Sequence, residues 1–208
     1  MKSMLPIVMV VTLLSACQRE SAPAAADAEP QTTATSTPMA EAPTPAPAVD
    51  DTAAPAGPVS QASFLGYGDM KLGSTVDEAR AAWGGELNGA PMEGTTCHYL
   101  WPKWISRPAE FAFMMEEGKF VRYDVGTDKE TAPGGGKVGM SVDEVQKLYG
   151  GALKASPHKY TQGGQYLSID AGDVAPTTKL VFEADAGGKI TSWRVGLSPQ
   201  VEYVEGCS

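Results

Sequence analysis

Apolar residues recur three and four places apart in two stretches of the chain: Val76, Ala79, Ala82 and Trp83 in the first, and Val142, Val145, Leu148 and Tyr149 in the second. That spacing puts them on one side of a helix. Each stretch opens on a hydroxyl residue with glutamate three places later, Thr75 with Glu78 and Ser141 with Glu144, which is the reciprocal N-terminal capping pattern. Asp77 and Asp143 add negative charge where a helix end is positive. The pairs Gly84-Gly85 and Gly150-Gly151 then supply the left-handed backbone that a helix stop uses. Aligned at an offset of 66, KLGSTVDEARAAWGGEL (71–87) and KVGMSVDEVQKLYGGAL (137–153) share 8 of 17 residues. The helix is written twice.

Downstream of each helix the pattern changes to strand-like runs. FAFMMEEGKFVRYDVG (111–126) lies over LVFEADAGGKITSWRVG (180–196), with Gly118-Lys119 matched to Gly188-Lys189. Both are apolar runs broken by a glycine turn, which predicts a β-hairpin. CHYLWP (97–102) lies over GQYLSI (164–169) and predicts a further strand. Each unit therefore reads as a short lead-in, one capped helix and at least three antiparallel strands. Two such units, 61–130 and 131–208, predict one α+β domain with both helices on one face of a sheet. A lone unit of about 65 residues has a marginal core, and packing two side by side relieves it.

The first 60 residues are built differently. Lys2 precedes an apolar run from Met4 to Leu14, well short of the roughly 20 residues that cross a bilayer as a helix. Residues 1–16 fit a secretory signal peptide. The tetrapeptide Leu14-Ser15-Ala16-Cys17 resembles the lipobox of bacterial lipoproteins. The resemblance implies cleavage before Cys17, a diacylglycerol thioether on its sulfur and an acyl chain such as palmitate on its new amine. Several chains anchor firmly in a lipid bilayer, at about 0.8 kcal/mol per buried methylene. Gln18 follows the cysteine, not the aspartate that favours inner-membrane retention, so the expectation is an outer-membrane anchor with the domain in the periplasm. From Gln18 to Ser60 the chain has 13 Ala, 8 Pro and 6 Thr in 43 residues, and no Phe, Trp, Tyr, Leu or Ile. Such a stretch buries too little apolar surface to offset its ordering entropy, so residues 17–60 read as a lipidated cysteine and a disordered tether.

Charge removes one class of partner. The tether and residues 61–208 each carry −5, and Lys2 brings the chain to −9. An acidic domain of mixed signs is a poor match for nucleic acid, which calls for clustered Lys and Arg. Catalytic signals are weak as well. His98 and His158 are the two histidines, too few for a histidine-rich metal cluster. In a strand, adjacent Cys97 and His98 point to opposite faces, which is wrong for a nucleophile and its base. The run Pro133-Gly134-Gly135-Gly136-Lys137 has Thr131 where a phosphate loop needs its first glycine and Val138 where it needs Ser or Thr, so it reads as an inter-unit linker. No enzyme, cofactor or metal site is expected.

With Cys17 assigned to lipid, Cys97 and Cys207 remain as an even pair in an oxidising compartment and are expected to form a disulfide. The most ligand-like stretch is HYLWPKWISRP (98–108), where Tyr99, Trp101, Lys103 and Trp104 combine flat aromatic faces with polar tips, and the Trp101/Trp104 pair has no aromatic counterpart in the second unit.

Residues 139–151, Gly-Met-Ser leading into a short helix with a glycine stop, resemble the repeat of the β-lactamase inhibitor protein family and the small lipoprotein of the outer-membrane protein assembly machinery. That resemblance implies a helical segment on an antiparallel sheet, in tandem, working by protein binding or inhibition. The first copy departs from the motif, with Ser74 in place of methionine, and the inhibitor family's cysteine pairs within each repeat are missing, so no inhibitory residue carries over. The expectation is a non-catalytic, lipid-anchored module that binds an envelope protein and inhibits or assists it. The competing expectation is a lectin-like or peptidoglycan-binding lipoprotein that uses the aromatic loop on a cell-wall glycan.

Overall fold

The computed structural model describes residues 60–207. The expected signal peptide, the expected lipidation position Cys17 and nearly all of the expected tether lie outside the described residues. Three two-residue strands, β1 (Ala62–Ser63), β2 (Gly66–Tyr67) and β3 (Met70–Lys71), form a small antiparallel meander. The rest of the first unit is α1 (Val76–Trp83), β4 (Leu87–Asn88), β5 (Cys97–Pro102), β6 (Phe111–Glu116) and β7 (Lys119–Val125). The second unit is α2 (Val142–Leu148), β8 (Lys154–Pro157), β9 (Gln165–Asp170), β10 (Thr178–Ala184) and β11 (Ile190–Leu197).

The large sheet has eight strands in the order β4-β5-β6-β7-β11-β10-β9-β8. It is two four-stranded meanders joined through their last strands. Across that joint Asp124 pairs with Arg194, flanked by Tyr123 with Val195 and Val125 with Trp193. Positions 124 and 194 are each other's counterparts in the repeat, so a local pseudo-two-fold axis runs through that pair.

The α+β class expected from the sequence is overturned. Eleven strands lie in sheets of eight and three, while the described residues hold only two α-helices, of 8 and 7 residues. The fold is mostly β. Each helix is about two turns long, whereas β1 to β4 are two-residue strands with no room to show an alternating pattern.

Why the repeat is retained becomes plain from its main-chain bonds. Gly73 N–H donates to Phe120 (2.7 Å), Phe120 N–H to Ser74 (2.8 Å) and Val76 N–H to Gly118 (3.1 Å). The second unit repeats all three: Gly139 to Ile190 (2.8 Å), Ile190 to Met140 (2.9 Å) and Val142 to Gly188 (2.9 Å). Each helix start is thus docked on the turn of its own hairpin. Gly73 and Gly139 sit at φ 87° and 90°, which a side chain would resist. Both capping boxes are formed; the N–H groups of Thr75 and Ser141 donate to Glu78 (2.8 Å) and Glu144 (2.7 Å). The shared residues are scaffold.

The helices and the meander cover one face of the large sheet, the inner face. Ala79, Val145, Tyr67 and Met70 pack there with Phe113, Tyr123, Phe182 and Trp193. Burying each of the large side chains contributes about 1.5–3 kcal/mol. Tyr123 meets Trp193 edge-on at 5.9 Å, so the core runs unbroken across the unit boundary. Leu148 departs from the expected stripe and is 49% exposed.

Candidate functional site

Strand alternation splits the residues singled out between Tyr99 and Trp104. In β5, His98, Leu100 and Pro102 point inward, while Cys97, Tyr99 and Trp101 point to the outer face. Trp101 is half-buried there, against the bare backbone of Gly89, where a Cβ would come within 2.9 Å of the indole. Lys103 is exposed in a turn, its N–H donating to Glu86 (3.2 Å). The turn then delivers Trp104 to the helix-bearing side, 69% exposed. Two separate surfaces result.

The first is an aromatic ledge. Trp104 stacks on Trp83 at the end of α1, with ring centroids 5.6 Å apart and planes 27° apart. Trp83 is braced edge-on by Phe113 at 5.2 Å, so the ledge is mounted on the core. Beside it opens a cleft of about 410 Å³ lined by Gln61, Tyr67, Asp69, Trp83 and Trp104. Gly85 keeps the cleft open at the indole edge, because a Cβ there would lie 3.1 Å from Trp83 Nε1. That Nε1 is buried and has no hydrogen-bond partner. The ledge therefore offers a flat apolar plate beside a cleft that also carries the Asp69 carboxylate.

The second surface is the outer face around the pseudo-two-fold axis. Arg122 and Arg194 are 4% and 5% exposed, rare burial for arginine. All three nitrogens of Arg122 are engaged. Nε donates to both Asp124 oxygens (3.0 Å each), Nη1 to the carbonyls of Gln200 (2.9 Å) and Tyr203 (2.7 Å), and Nη2 to Tyr99 Oη (3.1 Å), while Nη2 also lies 2.7 Å from the Asp124 carboxylate as an ion pair. Burial opposes its charge, and the Asp124 carboxylate more than restores it, leaving the guanidinium firmly protonated. Burial, then Asp124, pushes the Tyr99 hydroxyl well above the ordinary tyrosine range, so it keeps its proton. Arg194 donates through Nε to Val201 O (2.6 Å) and through Nη1 to Glu183. Glu183 also faces His158 Nε2 at 3.6 Å, and that imidazole stacks on Tyr166.

This polar cluster pairs charges and holds main chain. His158 Nδ1 accepts from the N–H groups of Tyr160 (3.1 Å) and Thr161 (3.0 Å), which occupies the nitrogen a nucleophile would need. Among the described residues, no group of three or more His, Cys, Asp or Glu is placed to hold a metal ion. The sulfurs of Cys97 and Cys207 are bonded, with Cα atoms 5.3 Å apart, and this ties the C-terminus to β5 on the outer face. Sequence reasoning placed Trp83 in a buried helix stripe and gave no role to Arg122, Asp124, Glu183, Arg194 or Tyr166. The available signal was charge at alternate positions inside otherwise apolar strands, at Arg122, Asp124 and Arg194.

No protein-family model matches the chain, and no curated protein sequence matches it. Among solved structures it is similar to an extracellular protein containing a SCP domain from Bacillus anthracis strain Ames, at 14% identity over 61% of this chain and 44% of that one, with a TM-score of 0.37. The chain thus spans less than half of that protein. It is also similar to YjgB, a DUF4309 family protein from Bacillus subtilis strain 168, at 12% identity over 64% of this chain and 84% of that one, with a TM-score of 0.41. At such TM-scores neither likeness bears on function.

Proposed function

We propose that this protein is a non-catalytic binding module of the cell envelope, lipid-anchored at the outer membrane through Cys17, whose first unit engages an envelope protein at the Trp83–Trp104 ledge. The observation that carries the reading is Trp104 itself, a 69% exposed indole held rigid by a stacked partner rooted in the core. A preorganised aromatic loses little side-chain entropy on binding, and tryptophan is among the residues enriched at binding hot spots. Pulldown of the tagged, lipidated protein from crosslinked envelopes tests it. One envelope protein should be enriched with the wild type, and Trp104→Ala should weaken that enrichment roughly 30-fold, the equivalent of a hot spot of about 2 kcal/mol.

A specific observation favours a second reading, in which the ledge takes a cell-wall glycan. Two nearly parallel indoles beside the polar side chains of Asp69 and Gln61 suit the flat face and hydroxyls of a sugar ring. In that case purified sacculi, not a protein, retain the wild type and release Trp104→Ala. Retention by neither, or retention indifferent to Trp104, contradicts the ledge as the binding site.

A further inference from the structure

Residues 198–207 do not follow either unit's pattern. After β11 the chain crosses back over the outer face of the sheet as a short 3₁₀ turn, Gln200–Glu202, and an extended run to Cys207. It lies over the charged rows of β7, β10 and β11, where the two meanders join. The sheet receives it with side chains suited to any peptide main chain. Three carbonyls, of Gln200, Val201 and Tyr203, are each taken by a guanidinium, two by Arg122 and one by Arg194. Val201 is fully buried as an apolar anchor. The acidic side chains of the segment meet basic ones of the sheet: Glu202 with Lys179, and Glu205 with Lys159. Gly206 passes over Tyr99 so closely that a Cβ would lie 2.6 Å from its hydroxyl.

Open space flanks the segment on both sides. One cavity of about 380 Å³ is lined by Tyr99, Asp124, Glu183, Ser192 and Arg194, and another of about 380 Å³ by Cys97, Glu116, Lys159 and Glu202. The two buried arginines are charge-paired within the sheet, Arg122 with Asp124 and Arg194 with Glu183, and turn their remaining donors to the strap's carbonyls.

We propose that the outer face of the sheet is a groove for an extended acidic peptide, and that residues 198–207 are its built-in occupant, latched by the Cys97–Cys207 bond. The ligand in trans is a peptide segment with the chemistry of the strap: an apolar anchor where Val201 sits, acidic residues placed for Lys179 and Lys159, and a glycine over Tyr99. The groove is separate from the Trp83–Trp104 ledge, so either can fail without the other. The latch opens by exchange with a dithiol. The dithiol's sulfurs end joined as a disulfide, and Cys97 and Cys207 end as thiols, having taken up the two electrons and two protons that it gives up.

A latched strap lowers apparent affinity by the fraction of time the groove is open; closure for 99% of the time weakens binding about 100-fold. The test uses the whole chain and a fluorescent peptide of residues 199–206. The oxidised wild type should bind it at least about tenfold more weakly than the dithiothreitol-reduced wild type or the Cys97→Ser/Cys207→Ser variant. Arg122→Met with Arg194→Met should abolish binding to the reduced form. Should that double variant fold poorly, hydrogen exchange of residues 199–207 in the wild type serves instead, and exchange should speed up on reduction while the core strands stay protected. Equal peptide binding in oxidised and reduced protein, or a strap equally protected in both, overturns the proposal.

Discussion

Trp83 and Tyr149 hold matching places at the ends of their two helices, and they have opposite fates. Trp83 is half-buried and stacks on the exposed Trp104. Tyr149 turns inward, packs on Phe182 at 5.7 Å and donates its hydroxyl to Pro133 O beneath the glycine-rich linker. Where the first unit has Trp104, the second has Ala171 in the matching sequence position. One scaffold position has become a platform in one unit and a brace in the other. The outer face diverges in the same way: at the axis, Asp124 faces its own counterpart, which has become Arg194. Identical residues there would set like charges side by side; divergence turned that clash into a site for ion pairs. What the units keep in common is the docking of helix on hairpin, and what they do not share is the stacked, exposed indole pair.

The comparison breaks first if the two halves are not one core. Phe113 and Phe182 are equivalent and fully buried. Each substitution to alanine should cost about 3–5 kcal/mol in denaturant unfolding, in a single transition. Two transitions, with only one moved by each variant, would mean the units fold separately.

Smaller effects sharpen the same comparison at the helix starts. Thr75→Ala and Ser141→Ala should each cost about 1 kcal/mol, because both remove the same cap. The acid side of the stability profile should report them too. Main-chain and hydroxyl bonds from Thr75 hold Glu78 below the usual glutamate range, and Ser141 does the same for Glu144. Since the folded pKa values are the lower ones, this stabilisation is present above the ordinary glutamate range and lost as pH falls through the lowered values. Thermal melts at descending pH should show that each cap variant flattens part of the decline. An unchanged slope in both variants would remove the caps from the acid response.

Much of the scaffold was legible because its signals are local. Val76-Asp77-Glu78 and Val142-Asp143-Glu144 follow their caps within one turn, and Gly118-Lys119 marks its hairpin directly. The class was misjudged for a local reason as well: Ala62–Ser63, Gly66–Tyr67, Met70–Lys71 and Leu87–Asn88 are too short to alternate, so strands went uncounted and the helices weighed too heavily. The ledge was half legible. Trp104 stood out as an aromatic after a strand-breaking proline, but its stacking on Trp83 is a contact between a helix end and a turn that no periodicity encodes. The arginines of the outer face are legible only once β7 is known to lie beside β11, because their partners come from three strands and the C-terminal segment.

The most direct test of the account is photocrosslinking in cells from a photoreactive aromatic residue, which keeps a flat ring on the ledge, placed at 104 or, in a parallel strain, at 171, in the full-length lipidated protein. The account predicts a discrete adduct from position 104 and none from position 171. Adducts from both positions alike, or from 171 alone, would contradict the claim that binding belongs to the first unit's ledge.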